Sequence, residues 1–425
     1  MIKVPKYYDR LIDKSFDLAL KTAGCVVVEG AKWCGKSTTS KRFAKTIIEL
    51  QRPNTYKIYK LYSDSGDEAL LNGEKPLMFD EWQKIPDLWD YIRAEVDVLG
   101  GKGHFILTGS AKPLENEGRH TGIGRMKKLV MRPMSLFESK ESIGSVSLGD
   151  LFMDNMQISG KEEKSLNDIA FLVCRGGWPE AVTILDSVIA LKIAKDYVSS
   201  LIETDIVEVD GIRRNASRAR AILKAYARNI STPAKLQTLQ KDMQTNNETI
   251  DVRTIESYIN ALKKLFILED IEAWSPRLRS KAILRTADTR QFTCPSIAAS
   301  VLDANPTDLI NDLNTFGLLF ESMCIRDLRI YAESLDGKVY NYRDSRGLEA
   351  DAIIHLDNGK WGAIEIKLGG EEAIDKAAKS LMALKESVDL DVMKQPIFLM
   401  VISATGYAYK RTDGVLVVPI GCLKN

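Results

Sequence analysis

In the stretch "GAKWCGKST", residues 30–38, two glycines, a lysine and a serine keep the spacing Gly-x4-Gly-Lys-Ser. Glycine at Gly30 and Gly35 lets main-chain amides close around phosphate oxygens with no Cβ in the way. Lys36 can reach the β- and γ-phosphates, Ser37 can hold Mg²⁺ through its hydroxyl, and the helix that follows adds the positive end of its dipole. Gly30, Ala31, Lys32, Trp33, Cys34, Gly35, Lys36, Ser37 and Thr38 therefore read as a cradle for ATP.

Binding is not hydrolysis, so the nearest carboxylates matter. Asp80 closes the apolar run Leu77-Met78-Phe79, where a strand would hand it to the metal, and Glu81 beside it can polarise the attacking water. Phosphoryl transfer needs positioning and charge neutralisation above all. Thr108 or Ser110, at the end of the strand "HFILTGS", would sense the γ-phosphate. Arg119 and Arg125 follow on a glycine-containing loop, and either could serve as an arginine finger on a neighbouring subunit; Arg125 is counted among the nucleotide contacts.

A second constellation lies near the other end. "LEADAIIHL" and "KWGAIEIKL" alternate as strands joined by "DNG". A two-residue turn would set Asp351 opposite Ile366. A three-residue loop, with Gly359 left-handed, sets it opposite Glu365. In that register Glu349, Asp351, Glu365 and Lys367 share one face, and Ala350, Ala352, Ile364 and Ile366 the other. Two carboxylates with a lysine two residues after the second suit Mg²⁺ with a cation beside the attacking water. Asp351 and Glu365 are thus expected as metal ligands, as are Ser37 and Asp80.

The elements that must position these groups can be read from periodicity. "CVVVEG", "KIYKLY", "PLMFDE", "HFILTGS" and "KKLVM" read as strands. The helix after the cradle is expected to carry Phe43, Ala44, Ile47 and Ile48. Another carries Leu88, Trp89, Ile92, Val96 and Leu99 at helical spacing. Strands alternating with helices imply a parallel sheet covered on both faces. The middle of the chain reads as helices: "RRNASRARAILKAYARNI", "STPAKLQTLQKDM" and "DVRTIESYINALKKLF", then "ILEDIEAW" as a wing strand. This is the outline of a winged helix. Arg253, Lys263 and Lys264 would lie near its groove-facing surface. "TFGLLFESMCIRDLRIY" is a further helix, carrying Glu321.

With 425 residues, more than one domain is expected. Lys and Arg (59) nearly cancel Asp and Glu (58), so any nucleic-acid surface must be local. Six scattered cysteines without a CxxC pair argue against disulfides and zinc, and fit the cytoplasm. Three histidines make histidine-based acid–base chemistry a poor expectation. No apolar run approaches a membrane span.

The segments "VVVEGAKWCGKST", "LMFDEWQKIP", "FILTGS", "GRMKKLVMRPMSLFE" and "GGWPEAV" resemble a prokaryotic group of single-chain AAA-like P-loop ATPases. The resemblance implies a helical lid in which Arg175 and Gly176 approach the nucleotide. The C-terminal helix and hairpin resemble the PD-(D/E)xK nuclease fold, with Asp351, Glu365 and Lys367 matching its motif, Glu321 matching its first-helix acid, and Ala350 where that motif has proline. The expected architecture is a P-loop ATPase core (1–140), a helical lid and linker (141–210), a winged-helix section (211–290) and an α/β restriction-endonuclease-like domain (291–425). The expected function is ATP binding and hydrolysis with a C-terminal domain acting on DNA, through Mg²⁺-dependent phosphodiester cleavage. Expected partners are double-stranded DNA and further copies of the chain, with no membrane. The alternative is a nucleotide-dependent switch whose C-terminal domain only binds.

Overall fold

The computed structural model describes residues 7–109, 122, 124–206, 209, 212–244, 250–275, 288–344, 347–388 and 393–425. They separate into two compact units, residues 1–133 with 264–266, and 134–263 with 267–425.

In the first unit the valine run forms strand β1 (Cys25–Glu29), where β-branched side chains fit a sheet buried on both faces. Val26, Val27 and Val28 have no exposed surface. The other strands are β2 (Thr46–Glu49), β3 (Leu77–Asp80), β4 (Phe105–Gly109) and β5 (Met126–Val130), in the order β2-β3-β4-β1-β5, all parallel. Val26, Val28, Met78 and Ile106 pack on one face; Cys25, Val27, Phe79 and Leu107 pack on the other. Helix α1 (Ile12–Thr22) covers the first face, α4 (Leu88–Leu99) the second. Of the stripe expected on α4, Leu88, Trp89, Ile92 and Val96 are buried, but Leu99, at the last position, is exposed.

Two sequence expectations fail here. Helix α2 after the phosphate loop spans only Lys36–Lys41, and Ile47 and Ile48 belong to strand β2. "KIYKLY" lies in helix α3 (Pro53–Ser65), bracketed by Pro53 at its first position and left-handed Gly66 at its end. Its alternation was ambiguous: Tyr56, Tyr59 and Tyr62, three apart, pack against the core as a helical stripe.

The second unit begins with short strands β6 (Val146–Ser147) and β7 (Gly160–Glu162). Helix α5 (Leu166–Arg175) starts at a capping box of Ser165 and Asp168, and helix α6 (Ser187–Ser200) runs on into a π-helical turn, Leu201–Asp205. Helices α7 (Ala216–Arg228), α8 (Leu236–Gln244) and α9 (Val252–Lys264) follow. Ile255, Tyr258, Ile259 and Leu262 are buried on α9, as is Phe266 beyond its end. Antiparallel bridges Leu268–Phe292 and Ile271–Thr289 come next.

Helix α10 (Leu313–Glu333) leads into strands β8 (Gly337–Arg343), β9 (Glu349–Leu356) and β10 (Trp361–Lys367), which pair antiparallel in succession. Helix α11 (Glu371–Glu386) crosses over to β11 (Phe398–Ser403), parallel to β10. Strands β12 (Gly406–Lys410), β13 (Leu416–Pro419) and β14 (Leu423–Lys424) close the chain. The sheet order is β7-β12-β13-β11-β10-β9-β8, and β14 pairs with β6. Residues expected as a linker thus supply an edge strand to the C-terminal sheet.

The segment "GGWPEAV" is built into this unit by close packing. Trp178 is fully buried and donates from Nε1 to Ser296 Oγ (3.0 Å). A Cβ on Gly176 would lie 2.4 Å from Ser296 Oγ, and one on Gly177 would lie 2.0 Å from the Met134 carbonyl oxygen. Met134 N donates to Gly177 O across the same contact (2.6 Å). Gly177→Ala must push two backbones apart and lose that bond. It should destabilise the second unit by roughly 3 kcal/mol, read as a lowered midpoint for this unit in denaturant unfolding.

Candidate nucleotide site and acid–lysine site

The phosphate loop leaves the buried end of β1 at Gly30 (φ 150°) and enters α2 through left-handed Gly35 (φ 106°). Gly30 is required sterically, since a Cβ would sit 2.1 Å from Met131 O. The loop is tied down from beneath. Cys34 Sγ reaches Met131 O (3.3 Å), and buried Arg10 donates to Cys34 O (3.0 Å) and Arg132 O (2.7 Å). Arg10 was missed from the sequence, where nothing marks it. Lys36 is buried with its ammonium inside the loop, donating to Gly30 O (2.9 Å) and Ala31 O (2.7 Å). Lys32, Trp33 and Thr38 are exposed, and Trp33 is left-handed (φ 64°).

Parallel pairing of β3 with β4 sets Asp80 beside Thr108. Asp80 Oδ1 accepts from Ser37 Oγ (2.7 Å) and Thr108 Oγ1 (2.5 Å). Its Oδ2 is buried with no hydrogen-bond partner among the described residues. A buried, unanswered carboxylate oxygen next to a serine hydroxyl is a hard-oxygen donor set of the kind Mg²⁺ takes. The residues present therefore fit the ion.

Glu81 is left-handed (φ 59°) and its Oε2 accepts from Gln83 Nε2 (2.5 Å). Gln83 Oε1 is buried without a hydrogen-bond partner among the described residues, and a Cβ on Gly109, at the end of β4, would lie 2.6 Å from it. Gln83 thus lies between Glu81 and the end of β4, a placement the sequence did not signal. Ser110 and Arg119 lie outside the described residues.

Arg125 is a correction. It precedes β5 at the strand ends opposite the phosphate loop: Cys25 N donates to Arg125 O (3.1 Å), and the length of β1, roughly 13 Å, lies between that end and Gly30. Its guanidinium pairs with Asp97 (2.6 Å). Parallel register therefore removes Arg125 from the nucleotide site of its own chain. Arg175, which the resemblance brought toward nucleotide, is buried in the second unit and paired with Glu141 (2.7 Å). Lys263, expected to face a groove, is held by Asp270 (2.8 Å). Asp270 also takes Arg290 (2.8 Å) and the Tyr226 hydroxyl.

At the other constellation the register is the one that gathers the charges. The β9–β10 ladder runs from His355↔Trp361 to Ala352↔Ile364, and Gly359 is left-handed (φ 81°). Carried one step past the last pair, this register sets Asp351 opposite Glu365. Ile366 N donates to Asp351 Oδ2 (2.7 Å). Lys367 Nζ bridges Asp351 Oδ2 (3.1 Å) and Glu365 Oε2 (2.7 Å). One facing expectation is corrected. A bulge on the β8–β9 ladder, between the Tyr340 and Tyr342 pairings, turns Ala350 into the cluster of Ile353, Trp361 and Ala363 under α11.

Burial, then the Asp351 charge, raises the Glu365 carboxyl to about 7 against the opposing pull of Lys367. Glu321, on α10, is driven well above the usual carboxylate range by burial and then by Asp351, with Lys367 opposing. Burial disfavours the Lys367 ammonium, but Asp351 and Glu365 outweigh it and hold the lysine charged beyond the ordinary lysine range. The four groups share one field. Asp351 and Glu365, expected as metal ligands, stand here as partners of Lys367. Among the described residues no group of three or more His, Cys, Asp and Glu is placed to hold a metal ion.

Residues 22–140 match a family model described as an AAA domain, residues 166–308 a domain of unknown function (DUF8612), and residues 316–423 another (DUF4143). The first match, on a glycine-lysine-serine loop between a parallel strand and a helix, decides the first unit. Residues 22–140 are a P-loop ATPase domain of the AAA class. Uncharacterized proteins of Mycobacterium bovis and Mycobacterium tuberculosis are each 22% identical to this chain over 415 residues, covering 94% of it and 81% of theirs. A Walker-type ATPase of Pyrococcus abyssi is similar at 15% identity and a TM-score of 0.43, over 69% of this chain and 96% of its own. No described helix is long and apolar enough to cross a membrane.

The raised Glu365 has a signed consequence. Its folded value of about 7 exceeds the unfolded carboxylate value near 4.3. The stability it contributes is complete below the unfolded value and is lost as pH rises through the folded one. Urea unfolding of the second unit at pH 5 and pH 8 should therefore show Glu365→Gln gaining on wild type at the higher pH. An unchanged gap contradicts the assignment.

Proposed function

We propose that the chain binds ATP with Mg²⁺ and hydrolyses it, and that its second unit acts on double-stranded DNA. The observation that carries the first part is Asp80: one oxygen is held by Ser37 and Thr108, and the other is buried and open beside the phosphate loop. Ser37 and Asp80 are the residues that would hold Mg²⁺, which neutralises charge on the β- and γ-phosphates when bound. Lys36 exchanges its two loop carbonyls for phosphate oxygens, Glu81 orients the attacking water, Gln83 sets the direction of Glu81, and Thr108 reports the end of the nucleotide.

For the second part, the order helix, three antiparallel strands, crossover helix and parallel strand supports a nuclease-like domain, as does the convergence of Asp351, Glu365 and Lys367. In this reading Asp351 and Glu365 form the metal-holding pair, Lys367 supports charge developing on the phosphate, and Glu321 sustains the field. One observation favours the alternative, a switch that binds DNA without cutting it. Among the described residues neither Asp351 nor Glu365 has a buried carboxylate oxygen without a hydrogen-bond partner, as Asp80 has; Lys367 and the Ile366 amide take Asp351 Oδ2, and Lys367 takes Glu365 Oε2.

Two measurements test the proposal. Lys36→Ala should lose ATP binding, while Glu81→Gln should keep it and lower turnover by 100-fold or more; full turnover in Glu81→Gln removes Glu81 from the chemistry. Cleavage of plasmid and linear duplex with Mg²⁺ or Mn²⁺, with and without ATP, compares wild type with Lys367→Ala. Cutting that disappears in the variant establishes the nuclease. Intact DNA in a wild type that hydrolyses ATP establishes the switch.

A further inference from the structure

Helix α7 carries Arg218, Arg220, Lys224 and Arg228 and no acidic residue. Arg220, Lys224 and Arg228 recur every fourth residue, so they form one exposed stripe rising about 6 Å per step. Like charges at this spacing repel, and an ordinary solvated helix relieves that repulsion with an acid one turn away. Here none of the four cationic side chains has a hydrogen bond or ion pair among the described residues. The opposite face, Ala219, Ile222, Leu223 and Tyr226, is buried and fixes the helix.

Small residues between the cations make the stripe concave. Ala216, Ser217, Ala221 and Ala225 floor a groove of about 440 Å³ whose wall includes the π-helical turn after α6. Among the described residues two acids line it, Glu203 and Asp242, and Asp242 is engaged by the Asn229 amide (2.6 Å). Three cations against two acids leave the groove positive, and exposed Arg213 and Arg218 extend the positive surface beyond it. A row of evenly spaced cations suits successive phosphates on a strand better than one isolated anion. The surface expected from sequence, on α9, is poorer in free charge, since Lys263 is tied to Asp270.

We infer that the α7 stripe is the docking site for the sugar-phosphate backbone of double-stranded DNA, with Arg220, Lys224 and Arg228 as the phosphate contacts. This rests on the reading that the second unit acts on DNA, and it names the surface. Each phosphate neutralised adds about 0.9 to the slope of log affinity against log salt.

The test is fluorescence anisotropy of a labelled 30-base-pair duplex with the full chain between 50 and 200 mM salt. The proteins are wild type, the triple variant Arg220→Ala/Lys224→Ala/Arg228→Ala, and Arg253→Ala on α9. The triple variant should bind at least tenfold more weakly at the lowest salt, and its salt slope should fall by about 2 to 3. Arg253→Ala should change little. The triple variant should melt no lower than wild type, because it removes like-charge repulsion and keeps good helix formers, so lost binding cannot be lost folding. If the triple variant binds as wild type does, the inference falls and the DNA reading stands. If wild type does not bind the duplex, both fall. Should wild type instead bind anionic lipid vesicles through these residues, the occupant is a lipid surface and the inference is overturned.

Discussion

A carboxylate taken out of water costs several kcal/mol unless something answers its charge, and the deep acids of this chain are answered in different ways. Asp327 is closed off completely, held by Arg326 at 2.7 Å and by the Leu136 amide. Asp270 gathers Lys263, Arg290 and Tyr226 around one buried point. Asp351 and Glu365 share a single lysine. Asp80 alone among these five has hydroxyl partners on one oxygen and, among the described residues, a buried second oxygen with none. That unanswered oxygen sets Asp80 apart from the acids whose charge is met by a cation of the chain itself.

The architecture follows from holding these acids where they are. In the first unit, parallel register brings Asp80 and Thr108 side by side at the same strand ends from which Gly30 departs. The backbone of the phosphate loop lies close against Met131 and is held by Arg10. In the second unit, a helix buried nearly all round, α10, supplies Asp327 to one contact and Glu321 to another. The bulge in β9 sits at Asp351 and lets that residue address β10 while Ala350 packs under α11.

Much of the second unit is held by partners far apart in the chain. Strand β7 pairs with β12, β6 with β14, and the Leu136 amide with Asp327, so the first stretch of the second unit is bound to the C-terminal strands and to helix α10. Nothing in the composition of that stretch distinguishes it from a linker. Two- and three-residue strands carry no readable periodicity, and their pairing is set by what lies across the sheet.

The sequence by itself determined the local chemistry. Glycine spacing defined the phosphate loop, apolar runs ending in Asp80 and Thr108 defined the strands, and alternation around "DNG" chose the register that sets Asp351 against Glu365. Each of these signals is carried by neighbours within a few residues, where sterics and periodicity act directly. The short helix after the loop and the tyrosine-bearing helix α3 were misread because their apolar spacing fits either period. Only the tertiary structure decided which charges are free. It spent Lys263 and Arg175 on internal acids, carried Arg125 to the far end of its strand, placed Lys367 between two carboxylates, and left the α7 cationic side chains unpaired among the described residues. Pairing of charges depends on which distant residues share a desolvated space, and no spacing along the chain encodes that.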